Sequence, residues 1–278
     1  MCGIVGLYSK KEHITKEQFA TFLSILESTE IRGDDATGIS YIEDGKIVII
    51  KEALKASEFV KKIEPRDLKT KILIGHCRKK TQGHESNPLN NHPILYDDLS
   101  LVHNGWVYND DDVFKDHKLT RHGQVDSEAI VALIKHNFSG TIPDAVEKAH
   151  KELKGAFACL MISDKAPENL FLWKTTNPAV FKETDDGFYI SSTADILNKS
   201  ILEGIPVTCP VYDMFIFKDN KYDKIVNKIP HVPFENPRKT VYTRTDHDWR
   251  GGNYQNTTYT RSSTQTLFGY KYEKGFFS

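Results

Sequence analysis

The chain has 278 residues, a net charge of -1 and a pI of about 6.8. This balance provides no field that would recruit nucleic acid or an anionic membrane, and no apolar run approaches the roughly 20 residues of a membrane span. The apolar start is too short for a signal peptide, and the four cysteines show neither metal-type pairing nor the density of a disulfide framework. We therefore expect a soluble cytoplasmic protein with one large domain or two small ones.

The first predicted strand, residues 3–8, follows Met1 and Cys2. Removal of a methionine before a small side chain gives Cys2 a free α-amino group beside its thiol. An amine with a reference pKa of about 8 is basic enough to take the thiol proton, and nucleophiles activated in this way are known. The alternative is an ordinary small-residue start to a strand, and this segment alone leaves both open.

The next segments alternate between helical and extended patterns. Thr15 and Gln18 form a capping-box pattern at the start of a helix, and Asp44-Gly45 indicates a hairpin turn between two strands. Residues 53–63 are predicted to be helical. The later predictions are strands at 73–77 and 99–103, helices starting after Asp126 and Thr141, strands at 156–162, 170–174 and 188–191, and a hairpin at 214–226.

This order of elements predicts an α+β protein with largely antiparallel sheets. Polar, glycine-rich loops follow several of the strands, at residues 31–38, 78–93 and 104–125. From about residue 230 the chain becomes rich in Thr, Asn, Ser, Gly, Arg and Tyr and loses its periodicity. We therefore predict one domain over residues 2–229 and a loosely ordered tail or docking arm over residues 230–278.

Six short motifs follow one another along the chain: Cys2-Gly3-Ile4-Val5-Gly6, Arg32-Gly33-Asp34-Asp35-Ala36-Thr37-Gly38, Gly75-His76-Cys77-Arg78, Asn91-His92-Pro93, Val102-His103-Asn104-Gly105 and Asp126-Ser127-Glu128. In this order they resemble the class II glutamine amidotransferase domain, which is of the Ntn-hydrolase type with an N-terminal cysteine nucleophile. Glucosamine-6-phosphate synthase and amidophosphoribosyltransferase carry this domain. The resemblance covers about residues 2–226 and implies a four-layer αββα sandwich of two mostly antiparallel sheets.

The resemblance implies a catalytic role for three residues. Cys2 is expected to attack the side-chain amide of glutamine, giving a γ-glutamyl thioester and ammonia, and water then releases glutamate. The Asn104 side chain and the Gly105 N–H are expected to form the oxyanion hole, where one donor is typically worth about 3 kcal/mol of barrier. The alternative for Asn104-Gly105 is a type I′ turn.

The resemblance also implies substrate-binding and supporting residues. Arg78 is expected to hold the glutamine α-carboxylate, and Asp126 the α-ammonium; their alternatives are a surface arginine and a simple helix N-cap. The other implied residues are Thr81 and Gly83, which line the pocket, and Arg32 and Asp35, which brace the nucleophile. No metal or cofactor is required, and His76, His92 and His103 are interpreted as structural.

Two features depart from the family pattern. The loop at residues 79–83 is basic where glucosamine-6-phosphate synthase has an aromatic residue and a histidine, and the synthase domain that usually consumes the ammonia is missing. The leading hypothesis is a stand-alone glutaminase that passes ammonia to a separate synthase in trans. The alternatives are an amidase acting on a γ-glutamyl or other amide, and a non-catalytic scaffold whose tail binds a protein; nucleic acid is not a favoured partner.

Overall fold

The computed structural model describes residues 1–225 of the chain. The predicted tail at residues 230–278 lies outside the described residues. Within residues 1–225, no helix combines the length and the apolar character that a membrane crossing requires.

Two antiparallel sheets make up the centre of the molecule. The seven-stranded sheet has the order β11-β9-β10-β1-β4-β2-β3, and the six-stranded sheet has the order β13-β12-β8-β7-β6-β5. The strands are β1 Gly3–Ser9, β2 Ala36–Glu43, β3 Lys46–Glu52, β4 Ile72–Arg78, β5 Ile94–Tyr96, β6 Leu99–Val107, β7 Gly155–Ser163, β8 Leu170–Lys174, β9 Val180–Glu183, β10 Gly187–Ser191, β11 Val207–Thr208, β12 Met214–Lys218 and β13 Lys221–Ile225.

Helices cover the outer face of each sheet. Helices α1 (Lys16–Ser28), α2 (Ala56–Phe59) and α6 (Ala194–Ser200) bury apolar side chains against the seven-stranded sheet. The other three, α3 Asp110–Asp116, α4 Ser127–His136 and α5 Ile142–Glu152, do so against the six-stranded sheet. A third apolar cluster fills the space between the two sheets. These three clusters confirm the predicted four-layer αββα sandwich.

Strand β1 is almost continuously apolar because both of its faces are buried. Val5 and Leu7 pack toward the helices, whereas Ile4 and Tyr8 pack between the sheets, and all four side chains are fully buried. A strand buried on both faces has no position for a solvated polar residue. The strand that follows Cys2 is therefore among the most constrained parts of the fold.

The local signals at caps and turns are confirmed. Thr15 Oγ1 accepts from the Gln18 N–H while the Gln18 side chain accepts from the Thr15 N–H, and the two residues of the Asp44-Gly45 turn have positive φ. The helix predicted at residues 53–63 is wrong in length. It is a single turn, α2, followed by a 3-10 turn at Val60–Lys62, because only Ala56 and Phe59 are buried there.

Candidate active site

Cys2 directly precedes the first residue of β1 and lies beside the last residues of β4. Gly3 pairs with Cys77, so the residue before Gly3 is adjacent to the chain leaving β4. The Cys2 thiol donates to the Lys79 carbonyl at 3.5 Å and accepts from the Lys79 N–H at 3.4 Å. Burial raises the pKa of this thiol, and the Lys79 N–H and the charge of Arg78 oppose the rise. The thiol is therefore protonated at neutral pH and needs a base.

Arg32 and Asp35 both support the backbone around this thiol. Arg32 donates from Nε to the Cys2 carbonyl at 2.9 Å. The Asp35 N–H donates to the Arg78 carbonyl at 3.0 Å, and the Asp35 carboxylate accepts from the Lys80 N–H at 2.7 Å. A Cβ at Gly3 would meet the Thr29 side chain at 2.2 Å, so only glycine allows the 29–32 segment to pack this closely.

Arg78 is buried, with 3% of its surface exposed. Its guanidinium donates to Asn91 Oδ1 at 2.8 Å, to the Gly83 carbonyl at 2.8 Å and to the Gln82 carbonyl. The interpretation as a surface arginine is therefore wrong. The side chain lies inside the curve of the loop at residues 79–91, which wraps around it.

Apart from the buried Asn90 and Asn91, the other residues of this loop are partly or fully exposed. Thr81 is exposed, and Gly83 has a φ of +67° with its Cβ position 2.5 Å from the Asn90 side chain. The Lys79 ammonium pairs with Asp34 at 2.7 Å, and that of Lys80 with Glu85 at 2.9 Å. The basic charge that the sequence places in this loop is thus compensated by neighbouring carboxylates.

Asn104 and Gly105 lie within β6, so the interpretation as a type I′ turn is wrong. Asn104 is 1% exposed, and its Nδ2 atom has no hydrogen-bond partner in the described part of the chain. Gly105 has a φ of +151°, and a Cβ there would lie 2.1 Å from the Ala156 carbonyl oxygen. The strand therefore presents a buried, unused amide donor next to a position that only glycine can occupy.

Asp126 lies at the N-cap position of α4, but its side chain makes no capping hydrogen bond. Its Oδ2 atom instead accepts from the Val107 N–H at 2.7 Å, and the residue is 6% exposed. The simple N-cap interpretation is therefore wrong. The carboxylate is directed to the edge of β6, two residues beyond Gly105.

The ends of the two sheets meet at this site. On β4, His76 pairs with Ile4, and its Nε2 atom hydrogen-bonds the His103 carbonyl of β6 at 2.9 Å. The charges of Arg78 and Asp126 both act on the Cys2 thiol, with opposite effects on its pKa. The thiol, the guanidinium, the carboxylate and the Asn104 amide therefore share one end of the sandwich, whereas Thr81 stays at its exposed margin.

Three buried histidines lie behind this site. His76 and His92 stack with ring centroids 4.1 Å apart, and His103 Nδ1 hydrogen-bonds Ser127 Oγ at 2.7 Å. Burial lowers the pKa of all three, that of His76 to about 3. Within residues 1–225, no group of three or more His, Cys, Asp or Glu side chains is arranged to hold a metal ion.

Two contacts near the site were not predicted from the sequence. Asn177 donates from Nδ2 to the Asn104 carbonyl at 2.9 Å. Lys51, which is half-buried, donates to the carbonyls of Asn91 and Pro93 at 2.7 and 2.9 Å, and burial of its ammonium lowers its pKa to about 7. Neither residue belongs to a motif, and each contact joins segments far apart in the chain.

The chain is similar to known proteins in both sequence and structure. The profile of the glutamine amidotransferase domain family matches residues 78–199. The glutamine–fructose-6-phosphate aminotransferase of Aquifex aeolicus is 32% identical over 236 residues, covering 75% of this chain and 39% of that protein. That of Clostridium acetobutylicum is 30% identical over 248 residues, covering 84% of this chain and 39% of that protein. The chain thus spans about two fifths of the length of these relatives.

A solved structure shares the fold. The glutamine phosphoribosylpyrophosphate amidotransferase of B. subtilis superposes with a TM-score of 0.68 at 21% identity, covering 81% of this chain and 49% of that one. At this identity the likeness establishes the fold alone.

Proposed function

Since the chain carries a class II glutamine amidotransferase domain, we propose that it hydrolyses the side-chain amide of glutamine to glutamate and ammonia. One observation carries the proposal: a half-buried thiol, a buried guanidinium, a buried carboxylate and an unpartnered amide donor share one end of the sandwich. We also place the protein in the cytoplasm, in keeping with its four free cysteines.

The first chemical step is attack by Cys2. Removal of Met1, which is 79% exposed, frees the α-amine, and this amine takes the thiol proton. A C–S bond forms to the amide carbon, and the resulting oxyanion accepts from Asn104 Nδ2 and the Gly105 N–H. The C–N bond then breaks, and the protonated amine returns its proton to the departing ammonia.

The second step hydrolyses the thioester. The free amine, again a base, takes a proton from water, whose oxygen attacks the carbonyl carbon of the thioester. The same oxyanion donors stabilise the second tetrahedral intermediate. The C–S bond then breaks, and the protonated amine returns its proton to the departing thiolate, which gives glutamate and the Cys2 thiol.

Two charged side chains bind the α-carboxylate and the α-ammonium of glutamine in this proposal. Arg78 offers a planar fork that matches the α-carboxylate. Asp126 offers a buried carboxylate for the α-ammonium, with its Oδ2 oriented by the Val107 N–H. Thr81 and Gly83 border the entrance, while Arg32 and Asp35 hold the backbone of Cys2 and Arg78.

The fate of the ammonia is a separate part of the proposal. We assign residues 2–229 to the glutaminase domain and propose a separate synthase in trans as the ammonia acceptor, since the relatives that the chain matches are glutamine–fructose-6-phosphate aminotransferases. The second candidate is an amidase for a γ-glutamyl or other amide. The basic sequence at residues 79–83 suggests it, but the ion pairs of Lys79 with Asp34 and of Lys80 with Glu85 weaken that argument.

Intact mass spectrometry, before and after 6-diazo-5-oxo-norleucine, tests the proposal. This electrophile mimics glutamine, and we expect a chain without Met1 that gains one adduct, mapped to Cys2. The buried Cys77, Cys159 and Cys209 are internal controls, and the Cys2→Ala variant should take up no adduct and release no glutamate. A processed chain without an adduct would favour another amide substrate, whereas retained Met1 would contradict the catalytic assignment.

A further inference from the structure

Asn177 contacts the strand that bears the two oxyanion donors. It lies between β8 and β9, 73 positions from Asn104 in sequence, and its Nδ2 donates to the Asn104 carbonyl at 2.9 Å. That carbonyl and the Gly105 N–H belong to the same peptide group. Because a trans peptide is planar and its C=O and N–H point in opposite directions, a bond that fixes the carbonyl also fixes the N–H.

The hydrogen bonds of neighbouring residues show which way this N–H points. Phe157, paired with Gly105, donates its N–H to Thr175 Oγ1 at 2.8 Å and accepts at its carbonyl from the Thr175 N–H at 2.8 Å. Phe157 therefore directs its backbone toward β8, and the pair Gly105–Phe157 is of the type without mutual hydrogen bonds. The Gly105 N–H consequently faces away from β7.

Val107, which lies on the same side of β6 two residues after Gly105, confirms this direction. The Val107 N–H, two positions along β6, donates to Asp126 Oδ2 at 2.7 Å. Since alternate N–H groups of a strand point to the same side, the Gly105 N–H points to the side of Asp126. Strand β5 pairs only with Leu99–Leu101. Within residues 1–225, therefore, no strand of this sheet lies beside Gly105 on the edge of β6 opposite β7.

By the same alternation the pair Asn104–Ala158 is hydrogen-bonded, so the Asn104 carbonyl faces β7, and the Asn177 amide is an additional donor to it. This additional donor restrains the peptide group before Gly105. The Gly105 φ of +151° is accessible because this residue has no Cβ, and the same freedom lets the peptide group before it rotate. The segment that carries Asn177 is fixed at both ends. Thr175 is bonded to Phe157 as above, and the Ala179 carbonyl accepts from the Cys209 N–H at 3.0 Å. Asn177 is thus a donor on a segment held at one end by the six-stranded sheet and at the other beside β9 and β11 of the seven-stranded sheet.

We propose that Asn177 is a positioning residue of the oxyanion hole: it holds the Asn104–Gly105 peptide so that the Gly105 N–H is directed at the developing negative charge. This inference rests on the proposed function. The hydrogen bond also polarises the peptide, which strengthens its N–H as a donor. Asn177 touches neither the nucleophile nor the substrate, and it acts through Gly105.

The test compares two variants that share only the loss of the donor. Asn177→Ala removes the amide, and Asn177→Asp replaces its NH₂ by oxygen at nearly constant shape. Because a misdirected donor weakens only the transition state, we expect each to lower kcat by roughly tenfold with little change in KM. Asn109→Asp is the matched control, since Asn109 Nδ2 donates to the Glu152 carbonyl at the same 2.9 Å, away from the site.

A second readout separates positioning from simple structural damage. The γ-aldehyde analogue of glutamate adds the Cys2 thiol across its C=O, with the thiol proton transferred to oxygen, and the product mimics the tetrahedral intermediate. Its affinity should fall by the same factor as kcat in both variants. Glutamine binding, measured with Cys2→Ala combined with each substitution, should stay unchanged.

The outcomes distinguish the two levels of the proposal. An active wild type whose Asn177→Ala and Asn177→Asp variants keep full kcat and aldehyde affinity overturns the positioning role alone. Variants that lose glutamine binding as much as aldehyde binding also overturn it, because the damage is then general. A wild type that hydrolyses no glutamine and binds no aldehyde refutes the proposed function and the inference with it.

Discussion

Asn104 buries an amide donor that no other described residue uses. A buried polar group without a partner typically costs about 1–3 kcal/mol of folding free energy. Such a cost is common where a site is kept ready for a ligand, since activity and stability then oppose each other. Asn90 is a natural comparison, because its buried amide bonds the His84 carbonyl, Gln124 Oε1 and the Gln124 N–H.

We expect Asn104→Ala to lower kcat by about a hundredfold or more, the typical loss for one oxyanion donor, without lowering the free energy of unfolding. Asn90→Ala should instead lower the free energy of unfolding, because it breaks these hydrogen bonds, and should leave kcat unchanged. Steady-state kinetics and urea unfolding of both variants check this. A destabilised Asn104→Ala protein would show that the amide is used in the folded enzyme before substrate binds.

Arg78→Lys should raise the KM for glutamine by at least about tenfold, with a smaller effect on kcat. Lysine keeps the positive charge but lacks the planar guanidinium, which can donate to a carboxylate and to the loop carbonyls at the same time. Arg121→Lys is the control, since Arg121 forks to Asp110 and Asp111 away from Cys2. Equal KM values in the two variants would argue against carboxylate recognition by Arg78.

At the scale of elements, the His76, His92 and His103 cluster makes the core sensitive to acid. Burial lowers the pKa of each imidazole, so the folded state holds them neutral while the unfolded state binds protons below a pH of about 6.5. A group whose pKa is lower in the folded state costs stability as the pH falls below its unfolded value. The three therefore reduce the free energy of unfolding progressively from about pH 6.5 toward pH 3.

His92→Phe should reduce the slope of the free energy of unfolding against pH. The reduction is at most that of one bound proton, or about 1.4 kcal/mol per pH unit. Phenylalanine retains a ring to stack on His76 but cannot take up a proton. Urea unfolding at about pH 7 and about pH 5 measures the slope. His84→Gln is the control, because the His84 side chain is 67% exposed and lies outside the buried cluster.

Elements with local signals were predictable from the sequence, and those defined by distant contacts were not. The capping box at Thr15 and the Asp44-Gly45 turn depend on residues within three positions. Helix α3 was missed because four of its seven residues are aspartates, and only Val113 and Phe114 supply apolar burial.

The same division applies to the site. Cys2, Arg78, Asn104 and Asp126 could be selected because their motifs follow a known order, although their roles remain proposals. Asn177 could not, since its contact spans 73 positions and no periodicity or turn pattern marks it.

At the scale of the whole molecule, residues 1–225 form a sandwich, and the chain matches one part of longer relatives. It spans about two fifths of their length, and its fold matches about half of the B. subtilis enzyme. In the proposed function the glutaminase site lies at one end of the two sheets, and a second protein receives the ammonia there.

We expect a chain ending at residue 229 to keep the kcat of the full chain for glutamate release. All the residues assigned to the chemistry lie between positions 2 and 177, so the reaction should not depend on residues 230–278. Enzymatic determination of glutamate, together with free ammonia in equal amount, checks this. A truncated chain that folds, by its circular dichroism, yet loses activity would contradict the proposed domain boundary.

The contacts of Arg78 have a consequence for substrate concentration. Its guanidinium already donates to Gly83 and Asn91, so a carboxylate that binds there must first displace acceptors of the protein itself. The apparent dissociation constant then equals the intrinsic constant divided by the fraction of molecules whose loop has released the arginine. Release in about one molecule in a hundred weakens binding about a hundredfold. Substitutions within residues 79–91 can therefore set the half-saturating concentration without altering any reacting atom.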